Sequence, residues 1–259
     1  MGLSMRILLA AVSMTVSLHG FAAEPLRLGY SDVENFPHQM GNGEQVAAVP
    51  GVAVELIREA AVGADVQVSF VRMPAPRLLV EMQAGRLDGA FIFSYKEDRL
   101  QYGVYPMHQG KPDRQRRIAS NNYSFYKLAN SDVAWDGTKL TNWRVPVGIN
   151  FSFSIGDDLK KMNLTIDDGG RGTEQNFAKL KLGRISAYAT LEDSADAFLR
   201  RNGISNVVKL EPPIVVRDYY LMLSQQFVSG NKAKAELFWT RLGEVRSKRS
   251  GSIFEKYAD

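Results

Sequence analysis

The chemistry open to this chain rests on arginines, acids and hydroxyls, because its 259 residues include no cysteine and only three histidines. Without a thiol there is no disulfide, no thiolate metal site and no cysteine nucleophile. His38 and His108 are the imidazoles beyond the apolar N-terminal run, and they have no metal-binding spacing with each other. No glycine-rich loop of the P-loop or dinucleotide kind occurs, and no cofactor is expected. Arg99 ends the run Tyr95-Lys96-Glu97-Asp98-Arg99. A guanidinium offers two parallel donors that fit a carboxylate, unless this one pairs at the surface with Glu97 or Asp98. Ser152 and Ser154 fall where a strand runs into a helix. Ser154 followed by Asp157 reads as a capping-box-like start, and free backbone N–H groups there also suit an anion. Glu192 and Asp193 follow an apolar strand, as carboxylates that favour a helix N-terminus.

The elements that must position these residues alternate between strand and helix. Residues 26–30 (LRLGY) and 66–71 (VQVSFV) are rich in branched and aromatic side chains, and Val52, Leu56, Ile57 and Ala60 recur between them at helical spacing. Pro76 starts a second helix as a first-turn proline and Gly85 closes it, ahead of an apolar strand, AFIF. A second unit follows, with strands at 145–149, 186–190 and 206–210 and helices at 154–162, 172–183 and 193–202. The strand 218–223 leads to a helix with Ala235, Phe238, Leu242 and Val245 on one face. Strands separated by helices imply an α/β chain with largely parallel sheet covered on both faces.

The N-terminus carries Arg6, an apolar run from Ile7 to Leu18 and then Gly20-Phe21-Ala22-Ala23. That order describes a secretory signal peptide over 1–23, cleaved after Ala22 or Ala23, with Met5 as an alternative start. The other reading, an N-terminal anchor, needs a longer apolar run than this one. The formal net charge is +4 with no polybasic tract, which together with an export signal argues against nucleic acid. A free periplasmic protein, without a lipid-anchoring cysteine, is expected.

Three segments carry a resemblance: PRLLVEMQAGRLDGAFIFSYKEDR (76–99), VGINFSFSIGDDL (147–159) and KLKLGRISAYATLED (179–193), with IFEKY (253–257) at the end. In order and spacing they resemble the periplasmic solute-binding proteins of the polar-amino-acid type. The likeness covers essentially the whole chain after the signal. It implies two Rossmann-like lobes joined by two hinge crossovers, the type II periplasmic-binding fold. Lobe one would be 24–118 plus 218–259, lobe two 119–217, with the ligand in the cleft outside the carboxyl ends of the strands.

The resemblance gives Arg99 the role of gripping a ligand carboxylate, and sets Arg77 facing the cleft where the alternative is a solvated helix residue. Tyr30, Phe36 and Tyr95, on loops leaving lobe-one strands, would wall the ligand, whereas aromatics such as Phe91 and Phe93 suit a core. The family often has Gly-Thr where this chain has Asn150-Phe151-Ser152-Phe153, a departure that crowds the site with rings and counts against a standard amino-acid ligand. Ser186 replaces the family's second aspartate, so Glu192, or else Asp193, is left as the amine partner; if neither faces the cleft, the ligand need not carry an amine.

The function implied is capture of a small carboxylate-bearing ligand, an amino acid or related organic acid, by hinge closure, by a monomer that presents it to an ABC-type transporter permease or serves a sensor. The alternatives are a dehydratase-like enzyme on the same scaffold, with Glu192, Asp193 or His38 as acid or base, and a lobe pair that binds another protein.

Overall fold

The computed structural model describes residues 24–257; the expected signal peptide, 1–23, lies outside the described residues. The first lobe opens with β1 (Leu26–Ser31), α1 (Val52–Gly63), β2 (Val68–Met73), α2 (Ala75–Gln83) and β3 (Gly89–Ser94). A hairpin of β4 (Met107–His108) and β5 (Lys111–Pro112) follows. Then β6 (Ala119–Leu128) crosses to the second lobe. There β7 (Ala134–Trp135) and β8 (Leu140–Thr141) form a second hairpin. The second lobe continues with β9 (Val147–Asn150), α3 (Ile155–Lys161), β10 (Ile166–Gly170), α4 (Thr173–Lys181), β11 (Ala187–Leu191), α5 (Glu192–Arg201) and β12 (Val207–Lys209). Finally β13 (Val215–Leu223) returns to the first lobe, where α6 (Gln225–Gly230) and α7 (Lys232–Glu255) complete it.

The main sheet runs β10-β9-β11-β6-β13-β3-β1-β2, with β12 on β6. Pairings within each βαβ unit are parallel, as between β1 and β2 and between β9 and β10. The antiparallel pairs belong to the crossovers. β6 pairs with β13 from Ala119↔Tyr219 to Tyr123↔Val215, and each strand then joins its lobe's own sheet, β6 on β11 and β13 on β3. The two crossover strands therefore pair through their first halves.

Each lobe has its own core. In the first, Leu28 and Tyr30 of β1 face α1 and α7, where Leu56, Ile57, Phe238, Trp239 and Leu242 are buried. The apolar spacing on α1 and α7 is what forces this docking, and Val245 packs at its margin. On the other face of β1, α2 sits so close to Gly29 that a Cβ there would lie 2.3 Å from Leu78 Cδ2. Gly85, at φ +70°, ends α2 as its place in the sequence suggests. The second lobe buries Phe125, Val147, Ile149, Leu159 and Leu191 between β6, β9, β11 and α3. No helix among the described residues is long and apolar enough to cross a membrane.

Two local features shape the cleft. The segment from Asp32 to Gly51 joins β1 to α1 with no helix or strand of its own. It is pinned by Arg72, which donates to the carbonyls of Ser31, Met40, Gly41 and Gln45, and by Tyr257, whose hydroxyl accepts from Gly51 N–H at 3.0 Å. In β3 the ladder to β13 skips a residue: Phe91 pairs with Leu221 and Phe93 with Tyr220. The residue left over, Ile92, has φ +61°, a conformation that strains a β-branched side chain.

Candidate functional site

A cavity of about 80 Å³ lies between the lobes beside the crossover strands. Its first-lobe wall comes from the Asp32–Gln39 stretch, the Pro74–Pro76 start of α2 and β3 from Phe91 to Ser94, with Arg99 beyond. Its second-lobe wall comes from Phe151–Ser154, Arg171 and Leu191, and Tyr123 of β6 and Tyr219 of β13 form its floor. The bulge in β3 matters here. It turns strained Ile92 into the cavity, where the side chain touches the cores of both lobes. Strain of this kind persists only where surrounding structure fixes it, and it gathers at ligand sites.

Arg99 is the charged group at the cavity with no acidic partner among the described residues. One terminal nitrogen donates to the Ser94 carbonyl at 2.6 Å and lies 3.2 Å from the Ser94 hydroxyl. The guanidinium carbon sits 5.1 Å from the centre of the Phe93 ring. Neither Glu97 nor Asp98 pairs with it, so the surface ion pair open to it in sequence does not form. Behind it, Tyr219 donates to the Tyr123 hydroxyl at 3.3 Å, and burial pushes both phenols above their ordinary pKa. These phenols stay neutral, so the floor offers dipoles and no anion.

The rims are closed by contacts between lobes. On one side Arg171, between β10 and α4, donates to Asp32 at 2.9 Å. Beyond this pair lies a larger, solvent-open chamber of about 490 Å³, to which Asp32, Val33 and Arg171 also contribute. On the other side Lys96 pairs with Asp157 of α3, and this bond holds the Asp157 carboxyl below its ordinary pKa. A third contact joins Ser194 Oγ to Asn35 Oδ1 (3.0 Å) and to the Phe36 carbonyl (3.1 Å). The lobes are thus in the closed arrangement.

Several residues expected at the ligand are elsewhere. Tyr30 lies within β1 rather than on the loop after it, and its parity with Leu28 sends it into the first-lobe core, 4.9 Å from Phe91. Arg77 is 64% exposed, with Nε 3.7 Å from Glu81, the solvated-helix alternative. Tyr95 packs edge-on to Tyr105 at 5.4 Å in a cluster under α2. Phe36 is buried beside the outer chamber, with Arg201 stacked 4.3 Å above it. Asn150 is buried, its Oδ1 accepting from Tyr188 (2.6 Å) and Asn176 (2.8 Å). Glu192 accepts from Ser124 (2.6 Å) and Asn122 (3.1 Å) and faces Lys209 at 3.6 Å, on the side of β6 away from the cavity lining. Arg99, Phe151, Ser152 and Phe153 do come together. Ser154 joins them but caps nothing: its backbone is already helical, and Asp157 is engaged by Lys96.

Asp193 also lies outside the cavity lining. Its carboxylate accepts from Asn121 at 3.0 Å and stands 3.9 Å from His38 Nε2. Burial and the neighbouring Glu192 and Asp196 raise its pKa to about 6. His38 is fully enclosed, neither ring nitrogen has a hydrogen-bond partner, and burial lowers its pKa to about 4. Sequence reasoning passed over Asp32, Arg171, Tyr123 and Tyr219. The first two are 139 residues apart, with no local signal to join them. The tyrosines had one: Tyr123 and Phe125 alternate in a run that reads as a strand.

No protein-family profile and no curated protein sequence matches the chain. Solved structures do. The ligand-binding core of GluR0 from Nostoc punctiforme, in complex with L-glutamate, is 11% identical with a TM-score of 0.68, over 91% of this chain and 100% of that one. The arginine-, lysine-, histidine-binding protein ArtJ from Geobacillus stearothermophilus is 13% identical with a TM-score of 0.67, over 91% and 95%. A histidine kinase sensor domain with similarity to periplasmic binding proteins is 14% identical with a TM-score of 0.67, over 90% and 96%. The chain has the fold of these proteins, the two-lobed type II periplasmic-binding fold.

Proposed function

We propose that this protein is a periplasmic solute-binding protein that closes its lobes over a small carboxylate-bearing molecule, gripped by Arg99. One observation carries the reading: a guanidinium at an inter-lobe cavity, walled by apolar side chains, with no acidic partner of its own. Where water is largely excluded, an unmatched cation is costly, and an incoming carboxylate relieves that cost through two parallel charge-assisted bonds. Phe151 and Phe153 cover the ligand from the second lobe, and Ser152 and Ser154 supply hydroxyls.

Closure then follows from simple bookkeeping. Ligand contacts from both lobes exist together only in the closed form, so binding shifts the hinge equilibrium by that difference. The Arg171–Asp32 and Lys96–Asp157 pairs are partly exposed, and such pairs contribute about 1 kcal/mol or less. They align the rims but leave the ligand to decide the equilibrium. The pairing of Ala119–Tyr123 with Val215–Tyr219 is the hinge in this reading. The signal-peptide pattern of 1–23 supports a periplasmic location, with a membrane permease or a sensor as the partner. The neighbours in fold are binding proteins, and Glu192, Asp193 and His38, the acids and base an enzyme reading would call on, do not line the cavity.

Thermal unfolding of the mature protein against amino acids, oxo acids, dicarboxylates and aromatic acids tests the reading. A ligand at a hundred times its dissociation constant adds about 2.7 kcal/mol, or roughly 5–10 °C in midpoint for a chain of this size. The shift should disappear in Arg99→Ala; a shift that survives that substitution removes the carboxylate site.

A further inference from the structure

The groups at the cavity make an uneven charge balance. Arg99 is unmatched, and Arg171 and Asp32 cancel each other. Asp32 is the one carboxylate among the lining residues, and it is engaged through one oxygen. That oxygen accepts from Arg171; the other is buried without a hydrogen-bond partner and closed to anything of water size. Asp157, an acid at the other rim, is held by Lys96. The remaining polar lining is neutral: serine hydroxyls, the Asn35 and Gln39 amides and the Tyr123 and Tyr219 phenols of the floor.

From this balance, and resting on the carboxylate reading above, we propose that the cavity selects compact carboxylic acids that lack an ammonium group, and that Arg171 sets this selectivity by occupying Asp32. A monocarboxylate brings one negative charge to one unmatched positive charge. A zwitterionic amino acid brings the same carboxylate together with an ammonium that must leave water and meet only neutral dipoles. Burying a charge without a counter-charge is the more costly arrangement. The walls agree with an apolar body: Ile92, Phe91, Phe93, Phe151, Phe153 and Leu191 surround the space. Its size agrees with a short one. At 10–15 Å³ for each water, about 80 Å³ corresponds to roughly half a dozen small atoms. Short-chain 2-oxo and aliphatic acids have those dimensions.

Calorimetric titration of matched pairs tests this directly: pyruvate against L-alanine, 2-oxobutyrate against L-2-aminobutyrate, and 4-methyl-2-oxopentanoate against L-leucine, with propionate and butyrate alongside. The wild type is expected to bind the acid at least about tenfold more tightly than its amino counterpart. Arg171→Met, which frees Asp32, should narrow that ratio by about tenfold or invert it, and adding Asp32→Asn should cancel the change. A wild type that prefers the amino acids overturns this inference while leaving carboxylate capture intact. An acid preference that Arg171→Met leaves unchanged overturns the part given to Arg171. If no acid or amino acid of the set binds, the carboxylate reading falls, and this inference falls with it.

Discussion

Arg72 and Arg99 belong to the same lobe, and each holds its guanidinium over an aromatic ring, 5.0 Å from Tyr30 and 5.1 Å from Phe93. Their surroundings differ in what the remaining N–H groups find. Arg72 is 3% exposed and satisfied by four backbone carbonyls, three of them in the long segment between β1 and α1 and the fourth, Ser31, at its edge. Arg99 spends one nitrogen on Ser94 and turns the rest of its charge toward the cavity. An arginine with four of its five N–H donors spent on backbone builds a wall, and an arginine with more donors in hand makes a site. His38 extends the comparison to a third case, a buried polar ring in the same segment with no hydrogen-bond partner.

The comparison breaks most visibly at Arg72. Arg72→Ala leaves four carbonyls short of a donor and unpins the segment that carries Asp32, Asn35 and Gln39. Denaturant unfolding should register a loss of about 3–5 kcal/mol, the range for breaking a buried charged network. Arg99→Ala should cost the unliganded protein only about 1 kcal/mol, from the Phe93 contact and the Ser94 bonds. Its effect is on binding, expected to fall about a hundredfold or more. Equal losses of stability in the two variants would mean that Arg99 is structural after all.

His38 sharpens the contrast through pH. Its folded pKa, about 4, is below its ordinary 6.5, so the unfolded chain holds more protons between these values and stability is lost as pH falls through them. Asp193 does the opposite. Its folded pKa of about 6 exceeds the ordinary 3.8, so stability rises as pH falls from 6 toward 4. Glu192, Asp196 and Lys209 act on Asp193 as well, the acids raising its pKa and the lysine lowering it. Between pH 4 and 6 the two slopes offset each other in the wild type. Relative to it, Asp193→Asn should lose thermal stability on acidification, and His38→Phe should gain it. Parallel profiles for all three proteins would show that neither group titrates abnormally.

How far these distinctions were legible in the sequence follows from the range of the interactions. The βαβ units, the α1 and α7 faces and the ends of α2 are set by local periodicity, by Pro76 and by Gly85, and they stand where the pattern places them. Tyr30 was misplaced by one residue of strand end: with Ser31 still in β1, parity sends the ring inward. Glu192 was assigned to the ligand because it follows β11, but Ser124 and Lys209, from β6 and β12, draw it away. Such three-way contacts have no signature within any one segment. Asp32 with Arg171, and the bulge that turns Ile92 inward, are likewise products of the assembled sheet. Arg99 and the Phe151–Phe153 turn were within reach because a recognisable order of motifs carried them.

The smallest effect is expected at the rim, where Lys96 meets an Asp157 that is 52% exposed. Both partners are solvated in the open form and only partly desolvated in the closed one, so their attraction is weak and screened by salt. Asp157→Asn should leave unliganded stability within about 0.5 kcal/mol of the wild type. Affinity for any carboxylate ligand should drop by only about two- to fivefold, less than 1 kcal/mol. The distinguishing mark is ionic strength. Raising salt should weaken the wild type toward the variant, because it screens the rim pair, while the Arg99 contact, partly buried at the cavity, is screened less. A rim variant that lost as much affinity as Arg99→Ala would place the decisive charge outside the cavity, and the distinction between a pair that aligns and a cation that binds would fail.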